Sequence, residues 1–127
     1  MSDGPTEKMT PAQIAHRAAD LVLEKKGSDL LVLDVEACSD IASYMVIASG
    51  ANKRQVQAMC DAISQEMKHK QERLPLNVSG KDLGWWLLLD YGDVLIHLMQ
   101  PDARRYYDLE ALWADATVVR RMEEPVT

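Results

Sequence analysis

Apolar and polar residues recur along this chain with two periods, and the change from one to the other marks its elements. In "TPAQIAHRAADLVLEKKG", residues 10–27, Ile14, Ala18 and Leu21, with Ala15 and Val22 beside them, stand three and four apart. That spacing predicts a helix with one apolar stripe, which should lie on a sheet. Thr10 suits the N-cap, Pro11 the first helical position and Gln13 the third, a capping-box arrangement; Lys25 and Lys26 suit the negative end of the dipole and Gly27 the C-cap. The runs "DLLVLDV" (29–35) and "SYMVIAS" (43–49) read as short buried strands, with a loop between them. Helical spacing returns after Gly50, where Val56, Met59, Cys60, Ile63 and Met67 form one stripe and Asn52 with Gln55 caps the start.

The second half is more broken. "RLPLNVSGKDLG" is turn-rich, with a short strand expected at Leu76 to Val78. "RRYYDLEALWADA" reads as a strand at Arg105 to Tyr107 running into a helix that turns Leu109, Leu112, Trp113 and Ala116 inward. Residues 1–9 read as a disordered N-terminal tail, 10–116 as one domain and 117–127 as a C-terminal tail.

Between these lies "WWLLLDYGDVLIHLM", residues 85–99, a β-hairpin by pattern. With Tyr91 and Gly92 as a two-residue loop, Asp90 would pair with Asp93, Leu89 with Val94, Leu88 with Leu95 and Trp86 with His97. One face then gathers Trp85, Leu87, Leu89, Val94, Ile96 and Leu98, and belongs under the helices. The other carries Trp86, Leu88, Asp90, Asp93, Leu95 and His97. A tyrosine in the first loop position would need a positive φ, so a variant turn with Gly92 left-handed would shift the pairing.

Composition narrows the functional classes. The chain has 127 residues, enough for one domain with a core of its own, and it has no apolar run of the length a membrane span needs. The start, "MSDGPTEKM", lacks a secretory apolar stretch and carries Asp3 and Glu7, which predicts a cytoplasmic protein. A net charge of −6 argues against sequence-specific grip on nucleic acid, which rests on many Lys and Arg contacts to phosphate; a basic protein partner fits better. Cys38 and Cys60 lie 22 positions apart without a CxxC pattern, so neither a disulfide framework nor a zinc site is expected, and Cys60 reads as packing.

Candidate chemistry concentrates in the hairpin. Asp90, Asp93 and His97 are residue types that bind metals or carry protons, but aspartates flanking a Gly turn usually accept turn amides, and no second cluster supplies further ligands. His97 reads as a packed or interface histidine. No phosphate-binding loop, GxGxxG or GxSxG elbow is present. Lys53 and Arg54, in the first turn of the second long helix, read as solvated. Trp86 beside Leu88 and Leu95, with aspartates around them, has the composition of a protein-docking patch; a two-sided sheet that buries Trp86 explains the same residues.

The stretches "SYMVIASGANKRQV", "WLLLDYGDVLIHLM" and "RRYYDLEALWADA", in this order and spacing, resemble the ribosomal silencing factor family (RsfS, or Iojap-like) over about residues 10–116. The resemblance implies a single α/β domain with a mixed β-sheet packed with helices, of nucleotidyltransferase-like topology but without that chemistry. It implies a translation repressor without cofactors that binds the large ribosomal subunit through ribosomal protein number fourteen, keeps the small subunit from joining, and damps translation when nutrients are scarce. Trp86, Asp90, Gly92, Asp93, His97, Arg105, Tyr107, Glu110 and Trp113 match the family pattern. On this reading the partner-binding residues are Trp86, Leu88, Asp90, Tyr91, Asp93, His97 and Arg105, with Leu109, Leu112 and Trp113 in the core and Arg104 beside Arg105 at the rim. Ser43 and Ser79 stand where the family often has acidic residues, which weakens any remnant metal site. A free homodimer through the same patch is a further expectation. The competing reading is a metal-dependent nucleotidyltransferase-like enzyme using Asp90 and Asp93.

Overall fold

The computed structural model describes residues 8–122. Its elements run α1 (Pro11–Glu24), β1 (Ser28–Asp34), β2 (Tyr44–Ser49), α2 (Lys53–Gln71), β3 (Asn77–Ser79), β4 (Trp86–Asp90), β5 (Val94–Met99), α3 (Pro101–Tyr107), α4 (Leu109–Leu112) and β6 (Thr117–Met122). The strands form one mixed sheet in the order β3-β4-β5-β2-β1-β6, in which only β2 and β5 are parallel neighbours. The α/β expectation holds.

Local chemistry starts both long helices as expected. Thr10 Oγ1 accepts from the Gln13 amide while the Gln13 side chain accepts from the Thr10 amide, completing the capping box. Asn52 Oδ1 accepts from the Gln55 amide at 2.9 Å. At the end of α1 the left-handed residue is Lys26, φ 67°, not Gly27. An ion pair between Arg17 and Glu66 ties α1 to α2. It holds the Glu66 carboxyl below its usual range.

The two helices cover one face of the sheet. Ile14, Ala18 and Val22 of α1 and Val56, Met59, Cys60, Ile63 and Met67 of α2 pack there against Leu30, Val32, Val46, Leu87, Leu89, Val94, Ile96 and Leu98. Cys60 is a core thiol, pushed up to about 11 by burial. The opposite face has a smaller core of Leu31, Leu33, Val35, Met45, Ile47, Met99, Ala103 and Leu109, with the short α3 and α4 as its helical cover among the described residues and Trp85, Trp113 and Ala116 packed beside it.

Four expectations need correction. Residues 117–122 are not tail: β6 pairs antiparallel with β1 from Asp34–Thr117 to Leu30–Met122, with a register shift between Val32 and Leu33. An edge strand with Val118 and Val119 largely exposed buries too little to show as an apolar pattern. Residues 1–7 and 123–127 of the two expected tails lie outside the described residues. Arg105–Tyr107 is helical, because Pro101 opens α3 and carries the two tyrosines into it despite their strand preference. Leu112 is 73% exposed, since the four-residue α4 has only one side against the sheet and spends it on Leu109.

The fourth correction is the hairpin register. The observed pairs are Asp90–Leu95, Leu89–Ile96, Leu88–His97, Leu87–Leu98 and Trp86–Met99. Tyr91 N–H donates to the Val94 carbonyl at 3.0 Å, so the loop is Gly92–Asp93. Gly92, φ 89°, takes the left-handed position that a tyrosine resists. Each strand moves by one residue, so the pairing slides by two and the faces keep their members. Two residues change place nonetheless: Tyr91 joins the core beneath the long helices, and Trp85, just before β4, packs toward α3 on the opposite face.

Candidate docking face

The hairpin's second face, Trp86, Leu88, Asp90, Leu95 and His97, lies on the side that α1 and α2 do not cover. Strand alternation aims these side chains there, and α3 and α4 roof mainly the neighbouring strands. Trp86, Leu88 and Leu95 are left half-buried.

Trp86 is held in place by its neighbours. Its indole N–H donates to His97 Nδ1 at 3.0 Å, and its ring lies 4.4 Å from Tyr107 of α3, centroid to centroid. Trp85 stands 5.8 Å from Tyr107 and 6.4 Å from Tyr106, so four aromatic rings form one cluster at this end of the sheet. Tyr106 is 76% exposed.

His97 is 6% exposed, which makes it a positioning residue under Trp86 and not a surface contact. Accepting at Nδ1 requires the neutral ring with its proton on Nε2. Burial agrees, pushing the imidazole down to about 4. The Nε2 atom is buried and without a hydrogen-bond partner among the described residues.

The two aspartates serve the turn. Asp90 Oδ1 accepts from the Gly92 amide at 2.8 Å. Asp93 Oδ1 accepts from an Arg73 amino group at 2.5 Å, and the same Nη donates to the Tyr91 carbonyl at 2.6 Å while the guanidinium lies 5.5 Å from the Tyr91 ring. Arg73 therefore clamps the hairpin from the α2 end. The two carboxylates thus have separate partners, Asp90 the Gly92 amide and Asp93 the Arg73 guanidinium, and among the described residues no group of three or more His, Cys, Asp or Glu side chains is placed to hold a metal ion.

Of the seven expected contact residues, then, Trp86, Leu88 and Asp90 share the open face, and Asp93 stands at its turn. Tyr91 is 3% exposed on the other face, its phenol pushed up to about 12 by burial, so it is core and not contact. Arg105 is exposed on α3 and lines a separate cavity with Asp29 and Ser49. Arg104 is not a rim cation: its side chain is 11% exposed and bonds Glu110 and Ser49. Pattern reading missed Tyr106, Tyr107 and Arg73, and also Leu83 and Leu76, which are 77% and 75% exposed. The aromatic spacing of Trp85-Trp86 and Tyr106-Tyr107 was the available signal for the cluster; nothing local pointed to Arg73.

The profile of a family described as "Ribosomal silencing factor during starvation" (RsfS) matches residues 8–127. The chain belongs to this ribosomal silencing factor family. The Bacillus subtilis ribosomal silencing factor is 39% identical over 107 residues, covering 82% of this chain and 85% of its own length. Mouse "Mitochondrial assembly of ribosomal large subunit protein 1" is 30% identical over 115 residues, 89% of this chain and 50% of that protein. A crystal structure of protein CV0518 from Chromobacterium violaceum superposes with a TM-score of 0.80 at 30% identity, covering 94% of this chain and 95% of the other. The family is one of translation regulators tied to the ribosome, not of enzymes. Among the described residues no helix is long and apolar enough to cross a membrane.

Proposed function

We propose that this RsfS-family chain is a cytoplasmic protein that binds the large ribosomal subunit through ribosomal protein number fourteen, blocks joining of the small subunit by occupying its space, and so represses translation under nutrient limitation. The observation that carries the reading is Trp86: a half-buried aromatic anchor, fixed by His97 and Tyr107, on a sheet face that the long helices leave open. Interfaces draw most of their binding energy from anchors of this kind, surrounded by contacts that exclude water. Leu88 and Leu95 extend the apolar patch, and the acidic chain suits a basic ribosomal protein. The mechanism is steric and needs no cofactor.

The test is co-sedimentation with isolated large and small subunits, followed by a joining assay. Wild-type protein binding the large subunit alone and preventing joining is the expected result; no co-sedimentation refutes it. Leu88→Glu breaks no hydrogen bond of the fold and should abolish binding with an unchanged circular dichroism spectrum. In the free protein the same patch pairs two copies. A dimer that binds large subunits without dissociating would refute that part.

A further inference from the structure

The net charge of −6 conceals a separation of sign along the strands. Where β1 and β4 finish and β2 and β5 begin, the fold gathers Asp34, Glu36, Asp40, Asp90 and Asp93. Cations gather at the other end, where β2 and β5 finish at Ser49 and Met99. There Gln55 ties the end of α1 to the start of α2, its side-chain amide donating to the Lys25 and Lys26 carbonyls at 2.9 Å. Lys25, Lys26, Lys53 and Arg54 thus come to one area of surface. All four are exposed, and among the described residues none of their side chains has a hydrogen bond or an ion pair. Charges that the fold does not use leave a local positive potential for an anionic partner.

This basic area runs on into the aromatic cluster. Gly84 packs so closely on α2 that a Cβ there would lie 3.1 Å from the Lys53 α-carbon. The next residue, Trp85, stands 6.4 Å from Tyr106, which meets Tyr107 edge-on at 4.9 Å, centroid to centroid. Held from behind by these rings, Tyr106 still leaves 76% of its surface to solvent. Arg105 beside it forms a 3.6 Å pair with Asp102 in which both side chains are 75% exposed, and solvent makes such a pair weak. Cations therefore flank an exposed ring on both sides.

We propose that this strip binds an unpaired segment of RNA, with a base stacked on Tyr106 and the neighbouring phosphates taken by Lys53, Arg54 and Arg105. Unpaired RNA uses both features, because its bases present a face to a ring while its backbone meets the cations. A duplex keeps its base faces stacked inside, and an acidic peptide has none. The acidic end does not oppose such binding. Strand β5 has six residues, roughly 20 Å at the rise of a strand, against a Debye length of about 8 Å at physiological salt. Asp29, Asp82 and Asp102 stand closer and keep the affinity modest. Contacts to phosphate and to a base face read no sequence. That the segment is ribosomal RNA on the large subunit rests on the function proposed above; that the strip binds unpaired RNA does not. Trp86 lies two residues beyond Gly84, so one docked pose brings the apolar patch to a ribosomal protein and the strip to adjacent RNA.

Fluorescence anisotropy of labelled octaadenylate with the full chain at low salt tests this, with an RNA duplex and octaglutamate as competitors. Saturable binding is expected. Lys53→Gln with Arg54→Gln should weaken it about tenfold and make the slope of log affinity against log salt shallower by about 1.4, the share of two phosphates on a single strand. Tyr106→Ala should also weaken it about tenfold, and Tyr106→Phe should restore it. All of these replace exposed side chains, and unchanged thermal unfolding checks that the fold is kept. The proposal is overturned by absence of saturable binding, by duplex or octaglutamate competing as well as octaadenylate itself, or by wild-type affinity in Tyr106→Ala. Leu88→Glu separates the two claims: it should lose large subunits and keep octaadenylate. Loss of octaadenylate there would move the RNA to the Trp86 patch and overturn the strip, whereas absence of co-sedimentation by a chain that binds octaadenylate would refute the ribosomal reading alone.

Discussion

The two faces of the β4–β5 hairpin come from the same fifteen residues and meet different surroundings. On one, Leu87, Leu89, Val94, Ile96 and Leu98 are fully buried beneath α1 and α2. On the other, Trp86, Leu88 and Leu95 are half-buried, because the short α3 and α4 cover only part of that side. Adjacent positions in sequence thus divide between a fully covered face and a partly covered one, the face proposed to meet a partner. The second face is mixed, with Asp90 and His97 among its members, yet Trp86, Leu88 and Leu95 are as apolar as the covered residues; what separates these from them is the length of helix laid over each face.

Substitutions can break this division at several points. The largest effect falls on the covered face: Leu89→Ala should cost about 4 kcal/mol of stability in urea denaturation, by lost transfer energy and the cavity left behind. Leu88→Ala, one residue away, should cost a quarter of that or less. Equal losses would mean that the second face is as covered as the first.

The next effect is in the pH dependence. His97 sits at about 4 in the fold and near 6.5 when unfolded, so the unfolded chain binds the extra proton first. Its contribution is fully present above pH 6.5 and is lost as pH falls from 6.5 to 4, by up to about 3 kcal/mol. Stability curves for wild type and His97→Gln should converge toward pH 4, which isolates this residue from the carboxylates that titrate in both proteins. Parallel curves would show that folding does not shift the His97 pKa.

A smaller effect, about 2 kcal/mol, is expected in large-subunit binding on Trp86→Phe, which keeps a ring beside Tyr107 but loses the bond to His97. Undiminished binding would place the anchor elsewhere. Smallest is Arg73→Met: removing the clamp should cost about 1 kcal/mol of stability, since its pair with Asp93 is partly solvated. Hydrogen exchange should then quicken at the Tyr91 and Gly92 amides while the β2 amides stay protected.

The site was partly legible. Trp86 and Leu88 emerged from strand alternation, which survives an error of one residue per strand because the side-chain period is two. Tyr91 was misplaced for the same reason that the register slipped: the loop begins one residue later, and the tyrosine stays in the strand-like backbone with its ring in the core. The two aspartates read correctly as turn acceptors, because the Asp90–Gly92 bond spans only two residues.

Sequence alone determined the long elements and the family. Caps, apolar stripes and β-branched runs are local, and their period survives any tertiary arrangement. The tertiary structure decided the rest. It made β6 from residues without an apolar pattern, since the free edge of β1 supplies backbone partners that no local signal encodes. It brought Arg73 to Asp93 across 20 positions and Tyr107 to Trp86 across the strand and turn between them. It joined Arg104 to Glu110 and Ser49 to form a cavity wall. Such contacts depend on where separate elements meet, and the pattern within each element carries no record of that meeting.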